Sequence, residues 1–372
     1  MGGLSEPKSE RIVSLQILRF VAAMMVVVFH TAYLVSQLPA TPDRPLFLNA
    51  ANIGPAGVDI FFVLSGFVIA MTGPLASQRP SGALFFWRRW RRVAPVYFII
   101  SLPEVINAAR AGGLAVDRLV ATFLFWPVSA AGVTFPYLEP GWTLCFEMVF
   151  YATVSCLLIG GRPARNLGYG AAALAALLLA RSTLDGAALR FLVNPIFLEF
   201  AAGVGLAMIS RRIMRAPIVI GVALLALGVG ALIAEGVIGV GGLGLAEHVL
   251  RSQGATTRVL LFGTPAAGIV AGGLVCERAC RGRLAAVLSH FGDASYSIYL
   301  THFAAINLVG MAWVWLHAPA SAPAIVACAL ATALVIGLVC HHVIEKPILR
   351  DLKRLRPIRW PWRTVPVAQT PA

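Results

Sequence analysis

The chain has 372 residues, of which 59% are hydrophobic and 12% are charged, and its mean hydropathy is +0.81. An ordinary soluble protein is about half apolar and about a quarter charged, so this chain has too few polar side chains to cover a water-facing surface. The composition excludes a soluble enzyme, a nucleic-acid-binding module and a disordered scaffold. The formal net charge of +14 is typical of cytoplasmic membrane loops, because the cations lie between apolar runs.

Apolar runs recur along the whole chain, and a helix needs about 20 such residues to cross a bilayer. The runs that reach or approach this length are 12–36, 55–73, 93–109, 142–160, 167–181, 191–209, 217–235, 258–275, 291–315 and 323–343. They predict an all-α, polytopic bundle of about ten transmembrane helices. Residues 11–350 are expected to form one integral membrane domain, and residues 351–372 a short basic cytoplasmic tail.

The loop charges predict the orientation of these spans. If the N-terminus lies in the cytoplasm, most Lys and Arg residues fall in inner segments, while few, Arg258 among them, fall in outer ones. The positive-inside rule therefore predicts that both termini are cytoplasmic. The apolar run 119–128 is too short to cross, so we expect residues 119–140 to form an outer re-entrant or interfacial segment. The cysteine spacing predicts no metal site.

The first apolar run carries two ionisable residues, Arg19 and His30. They are eleven residues apart, so on a helix they project within about 20° of one another and are separated by about 16 Å along the axis. Ionisable side chains inside a membrane are costly and mark either a function or an internal pairing. The pair predicts one helix face with a permanent cation below a group that accepts a proton near neutral pH. The alternative is that Arg19 pairs with an acid and His30 bonds a carbonyl.

A second candidate face lies in residues 141–151, where Thr143, Glu147 and Tyr151 recur every four residues. Glu147 needs a partner, such as His30, Arg19 or water. A carboxylate beside an imidazole would fix its tautomer and stabilise its charged form. A structural ion pair is the alternative interpretation.

A third candidate face combines Ser295, Tyr299 and His302 by helical spacing. His302 falls near mid-span and predicts a second polar contribution to a cavity, although aromatic residues at such spacing also pack. Glu199 is a further mid-span acid with the same interpretation. Asp59 and Ser65 lie in the second run, where close packing is the expected role because Ser65-Gly66 lets a neighbouring helix approach.

Residues 85–95, FFWRRWRRVAP, form an expected inner loop with four arginines and two tryptophans. Such a cluster is typical of a positive-inside anchor with an aromatic belt. It also predicts a site for the phosphates of an anionic donor, since arginine matches phosphate oxygens bidentately. His341 and His342 are expected at the inner interface.

Several of these segments, taken in order, resemble the membrane acyltransferase-3 family, in its stand-alone exopolysaccharide or O-antigen type. Arg19 and His30 are similar to its Arg-x10-His signature, and residues 57–67 to its Phe-Phe-x-x-Ser-Gly-Phe element. The other matching segments are Arg89-x-x-Arg92-x-x-Pro95, Trp142-Thr-Leu-x-x-Glu147, Ser295-Tyr-x-x-Tyr299-Leu-x-His302 and Glu345-Lys346-Pro347.

The resemblance implies ten spans in a bacterial inner membrane, an acyl-CoA donor on the cytoplasmic side and a short acyl group, acetyl by default. It implies a hydroxyl acceptor on a surface carbohydrate or lipid-linked sugar, and no bound cofactor. His30 would be the general base, with Glu147 orienting it. Arg19, Arg89 and Arg92 would bind the donor. Tyr299, His302, Ser65 and Glu199 would contact the acceptor or line the cavity.

Two other classes of protein stay open at this point. A transporter or flippase for lipid-linked sugars would also carry intramembrane charges along a polar path, but it would move its substrate without acyl-CoA and form no covalent product. A catalytically inactive interaction subunit would tolerate Arg19→Ala and His30→Ala.

Overall fold

The computed structural model describes residues 12–37, 51–72, 82–158, 170, 185–238, 244–319 and 321–354, with the side chain of Lys353 left aside. Apart from residue 170, the predicted run 167–181 lies outside the described residues, as do both predicted cytoplasmic termini and positions 355–372 of the predicted tail. The helices are α1 Val13–Ser36, α2 Ala56–Thr72, α3 Gly82–Arg110, α4 Val116–Leu124, α5 Gly141–Leu157, α6 Ala187–Leu192, α7 Phe197–Ile213, α8 Ile218–Ile238, α9 Ala246–Leu250, α10 Ala255–Arg258, α11 Thr264–Val275, α12 Arg283–Asp293, α13 Ser295–Trp315, α14 Ala322–Cys340 and α15 Lys346–Arg354.

Short irregular helices connect several of these elements. A π-helix, Val259–Gly263, joins α10 to α11, and a second, His341–Glu345, joins α14 to α15. A 3₁₀ turn, Cys276–Ala279, follows α11. The described part of the chain has one two-stranded antiparallel hairpin, β1 Val128–Ser129 and β2 Gly132–Val133. The predicted all-α class is confirmed, because this hairpin is the sole sheet among the described residues.

Among the described residues, six helical segments are long and apolar enough to cross a membrane. They are Val13–Ser36, Ala187–Ile213, Ile218–Val237, Ala255–Ala279, Ser295–Trp315 and Ala322–Leu352. Shorter apolar helices cover Ala56–Thr72 and Gly141–Leu157. Large apolar side chains on α8, such as Val219 and Leu227, are 67% and 72% exposed, as expected for a surface that faces lipid. The chain is a multi-pass membrane protein.

Helix α1 is the centre of the described bundle, since it packs against α2, α11, α12, α13 and α14. The carboxylate of Glu277 accepts hydrogen bonds from the main-chain N–H groups of Val13 and Ser14, at 2.8 and 2.7 Å. An acid at this end satisfies N–H groups that have no partner within the helix and complements the helix dipole. Glu277 therefore fixes the start of the helix that carries Arg19 and His30.

Glycine allows α2 and α7 to touch at main-chain distance. A methyl group on Gly66 would overlap the carbonyl of Phe200, and one on Gly203 would overlap the carbonyl of Val63. Small residues at such crossings let backbones approach closely. The close approach expected at Gly66 is confirmed.

One local expectation from the sequence is corrected. Residues 85–95 are helical rather than a loop, because α3 begins at Gly82 and carries the arginine cluster on its first turns, with Pro95 inside the helix. Arg258 is 1% exposed and pairs with Asp59, and its place in an outer segment stays a prediction. Residues 119–140 contain α4 and the hairpin; a helix of nine residues rises about 14 Å, which is too short to cross.

Candidate active site

A polar cavity of about 90 Å³ lies between α1, α2, α3, α5 and α13. We call it the arginine cavity, after the three cations in its lining, Arg19, Arg89 and Arg92. Two carboxylates, Glu147 and Glu345, also line it. Cations, acids and hydroxyl groups from these five α-helices and from the π-helix His341–Glu345 thus converge on one small space, as sites for small ligands do.

Glu147 is bound from two directions in this cavity. Ser65 Oγ donates to Glu147 Oε1 at 2.9 Å, and the Tyr151 hydroxyl donates to the same oxygen. Thr143, one turn before Glu147 on α5, also lines the arginine cavity. The structure therefore places the whole predicted face of α5 in one wall, and it gives Ser65 a polar partner rather than a packing role.

Arg19 and Arg89 reach the arginine cavity with different partners. Arg19 Nε donates to Ser295 Oγ at 3.1 Å, which joins α1 to the start of α13. Arg89 is 8% exposed and donates to the hydroxyl of Thr72 and, at 3.5 Å, to the carbonyl of Val68. Arg89 thus ties α3 to the end of α2, whereas Arg92 is exposed on the next turn.

A second cavity, of about 410 Å³, lies further along α1 and α13. We call it the histidine cavity, because His30 and His302 both line it, with ring centroids 5.0 Å apart. His30 also contacts the rings of Phe29 and Phe303, at centroid distances of 5.0 and 4.5 Å. Arg19 and His30 therefore face the same helix, α13, at two levels.

The ring of His302 is oriented by its own helix. His302 Nδ1 lies 2.6 Å from the main-chain carbonyl oxygen of Tyr299, and a carbonyl only accepts hydrogen bonds, so Nδ1 carries the proton. In the neutral ring Nε2 is then an acceptor, and this atom is buried without a hydrogen-bond partner among the described residues. A hydroxyl group of a substrate would satisfy it.

The structure does not bring Glu147 and His30 together. Glu147 lines the arginine cavity and bonds Ser65 and Tyr151, whereas His30 lines the histidine cavity and packs against aromatic rings. The prediction that Glu147 orients His30 is corrected, because the two side chains lie at different levels of the bundle. His302 is the ionisable residue that packs against His30.

Glu199 does not line either of these two cavities, and its cavity-lining role stays a prediction. It lies in the first turn of α7, 1% exposed, beside Asp59. Asp59 and Arg258 form a forked ion pair, with Nε–Oδ1 at 3.0 Å and Nη2–Oδ2 at 2.6 Å. Arg258 also lines the histidine cavity, so this buried pair supports its floor.

Sequence reasoning missed two contributions. Asp59 was assigned to packing, yet an acid inside an apolar run signals a buried partner. Glu345, at the end of the last apolar run, lines the arginine cavity and accepts from Ser297 Oγ at 2.6 Å, with His341 Nδ1 2.7 Å away. His341 is buried, and its position at the inner interface stays a prediction. Glu345 ends a π-helix, an irregularity that is frequent at functional sites.

The described part of the chain is thus a bundle of apolar helices that encloses an arginine-lined cavity beside a histidine-lined cavity. Comparisons with known proteins identify the class of this protein. The model of the acyltransferase-3 family, described as an acyltransferase domain, matches residues 12–342. The chain belongs to this family.

Two relatives agree with the family match. The chain is 33% identical over 307 residues to the exopolysaccharide production protein ExoZ of Rhizobium meliloti (strain 1021), which covers 80% of this chain and 90% of that protein. It is 29% identical, over an alignment of 405 positions that covers 95% of each, to the acyltransferase MdmB of Streptomyces mycarofaciens. No solved structure matches the chain. The resemblance read from the motifs is confirmed, and the chain is an acyltransferase rather than a transporter.

Proposed function

We propose that the enzyme transfers a short acyl group, acetyl by preference, from acyl-CoA to a hydroxyl group of a surface carbohydrate, with His30 as general base. The observation that carries the proposal is the placement of Arg19 and His30 on one helix, each in the lining of one of two adjoining cavities. One cavity offers cations for an anionic donor, and the other offers imidazoles for a hydroxyl acceptor.

The arginine cavity is the proposed donor site. Arg19 and Arg92, with Arg89 beside them, would bind phosphate oxygens of the donor or polarise its thioester, since guanidinium groups match both in charge and geometry. Of the three, Arg92 is the most exposed, which places it at the mouth of the cavity, where charged phosphates keep contact with water.

The histidine cavity is the proposed reaction site. The neutral imidazole of His30 takes the proton of the acceptor hydroxyl while the hydroxyl oxygen attacks the thioester carbonyl carbon. The new C–O ester bond forms, the C–S bond breaks, and the thiolate leaves with the proton returned by the imidazolium. His302 Nε2, held as an acceptor, is suited to bind a second hydroxyl of the acceptor.

A carbohydrate acceptor is supported by the relative named for exopolysaccharide production and by the lining of the histidine cavity. Trp142 and Phe303 offer ring faces there, and Glu139 and Asn307 offer polar groups, which together suit a sugar that presents both C–H and O–H surfaces. An exopolysaccharide unit, an O-antigen unit and a lipid-linked sugar share this chemistry.

The proposed setting is a bacterial inner membrane, crossed about ten times, with both termini in the cytoplasm. The distribution of loop charges supports it. Reporters fused to each terminus test it: a reporter that is active only in the cytoplasm should work at both ends. A terminal reporter that works only outside the cytoplasm would contradict this topology.

The catalytic test uses the full chain in lipid nanodiscs with acetyl-CoA and a carbohydrate acceptor. Release of free thiol and the mass of the acylated product are measured for the wild type, His30→Ala and His290→Ala. A general base contributes about 10²–10⁴-fold, so His30→Ala should lose at least that much transfer. His290, an exposed histidine on α12 outside both cavities, is the matched control. Appreciable transfer by folded His30→Ala would remove His30 as the base.

A further inference from the structure

Two side chains separate the two cavities. Among the described residues, only Val58 of α2 and Tyr299 of α13 line both the arginine cavity and the histidine cavity. Both are buried, at 6% and 7% exposure. We call them the dividing pair, because they lie at the boundary that the two cavities share.

Tyr299 is held in this position at both ends. Its hydroxyl lies 3.1 Å from Thr143 Oγ1 and donates to the carbonyl of Pro140 at 3.2 Å, so α13 is tied to the start of α5. Its ring packs edge-on against Phe61, with centroids 5.8 Å apart. Its main-chain carbonyl accepts from His302 Nδ1. The ring is therefore fixed between the proposed donor site and the proposed base.

In the proposed reaction, the positions of Arg19 and His30 require the donor to reach from one cavity into the other. They are separated by about 16 Å along α1, so a donor whose phosphates stay at the arginines must extend its thioester arm past the dividing pair to reach His30. The acyl group is the leading end of that arm, and the histidine cavity must hold it together with the acceptor hydroxyl.

We propose, building on the proposed function, that Tyr299 is the specificity-determining residue that sets the length of the transferred acyl group. An acetyl group passes beside the phenol ring and lies against His30. Each further methylene of a longer chain meets the ring, whose hydrogen bonds to Thr143 and Pro140 oppose its displacement. The substrate class is thus the short-chain acyl thioesters, and the opposite wall, Val58, is short enough to leave room for them.

The test is the chain-length profile of acyl-CoA use in lipid nanodiscs, measured as kcat/KM for acetyl-, butyryl- and hexanoyl-CoA. In Tyr299→Ala the ratio of butyryl to acetyl transfer should rise by about 10-fold or more, because one methylene in a pocket is worth about 10–200-fold. His302 keeps its partner in this variant, since that partner is a main-chain oxygen. Tyr299→Phe keeps the ring but loses the hydroxyl bonds to Thr143 and Pro140, so its ratio should lie between those of the wild type and Tyr299→Ala.

Tyr296→Ala is the matched control. Tyr296 lies one turn earlier on α13 and lines the arginine cavity but not the histidine cavity. Its hydroxyl donates to the carbonyl of Val93 at 2.8 Å. Whatever its effect on the rate, the ratio of butyryl to acetyl transfer should stay as in the wild type. A ratio that rises equally in Tyr296→Ala would overturn the assignment to Tyr299.

Val58→Ala tests the other member of the dividing pair, and it keeps the test decisive if Tyr299→Ala yields little folded protein. It should raise the ratio of butyryl to acetyl transfer while the Tyr299 hydrogen bonds stay intact. A wild type that is active with acetyl-CoA but shows an unchanged ratio in the folded variants would overturn this inference alone. A wild type that releases no thiol from any acyl-CoA would overturn the proposed function, and this inference with it.

Discussion

The arginine cavity and the histidine cavity lie along the same two helices but are built differently. In the smaller arginine cavity the described acids and several cations already have partners: Glu147 is bound by Ser65 and Tyr151, and Arg19 bonds Ser295. In the larger histidine cavity, His302 Nε2 has none among the described residues, and His30 touches only rings in the contacts that the structure records.

This difference indicates which side is organised before substrates arrive. Charged groups in a membrane protein are costly unless they are bonded, so a cavity that holds several cations and acids must be satisfied by the protein itself. Burying a neutral imidazole without a hydrogen-bond partner costs less free energy than burying an unpartnered charge. The imidazoles can therefore stay without a partner until a hydroxyl group binds. In terms of the proposed function, the donor side is thus preorganised, while the acceptor side is completed by its substrate.

The largest expected effect comes from breaking the support of the histidine cavity. Asp59→Asn leaves the guanidinium of Arg258 buried beside a neutral amide, and breaking a buried ion pair from one side costs about 3–5 kcal/mol. We expect a large fall in the melting temperature in detergent, with loss of transfer. Asp59→Leu combined with Arg258→Met should recover much of the stability, because neither member of the ion pair is left without the other. Equal stability of the wild type and Asp59→Asn would contradict a supporting role.

Arg19→Lys tests the arginine cavity at smaller magnitude. Lysine keeps the charge but loses the planar fork of donors. Hydrogen bonds to charged groups are worth about 1.5–3 kcal/mol, so kcat/KM for acetyl-CoA should fall by about 10- to 100-fold. His30→Ala provides the contrast, since it should abolish transfer while leaving donor binding measurable by calorimetry. If donor affinity and rate are indifferent to both Arg19→Lys and Arg19→Ala, Arg19 is structural.

Ser65→Ala is a milder test of the same cavity. It removes one of the two hydrogen-bond donors to Glu147 Oε1 and should cost about 1 kcal/mol of stability. We expect a modest loss in the use of the acyl donor and no change in the contacts of His30. Thr153→Ala is a suitable control, because Thr153 bonds the Val149 carbonyl on its own helix and is exposed. A melting temperature that falls as much in Thr153→Ala would show that the Ser65–Glu147 bond adds nothing specific.

The sequence predicts faces more reliably than partners, for a physical reason. The turn of a helix fixes that Arg19 and His30 point the same way and that Thr143, Glu147 and Tyr151 line one side. An acid in an apolar run also predicts that some partner exists. Which partner each acid takes, Ser65 for Glu147 or Arg258 for Asp59, depends on which helices pack together. Several other cations of the chain could have compensated the same cost of burying an acid. Glu199 shows the limit: its burial was expected, but its place beside Asp59 follows from the crossing of α2 and α7.

The smallest effect is expected at the rim of the histidine cavity. The pKa of the Glu139 carboxyl is raised above its usual value, because partial desolvation disfavours the charged form of this exposed side chain, and the nearby Arg118 guanidinium opposes this only in part. A raised pKa in the folded state means that the ionised carboxylate penalises folding above that pKa, and that the penalty fades as the pH falls toward about 4, the value of an unfolded carboxyl. Glu139→Gln should therefore raise the melting temperature slightly at pH 8, with a gain that shrinks on acidification, whereas Glu139→Asp, which keeps the charge, should give none. A rise in melting temperature of the same size at pH 8 and pH 5 would assign the effect to packing. The Glu139 carboxylate would then be as well compensated as the charged groups of the arginine cavity.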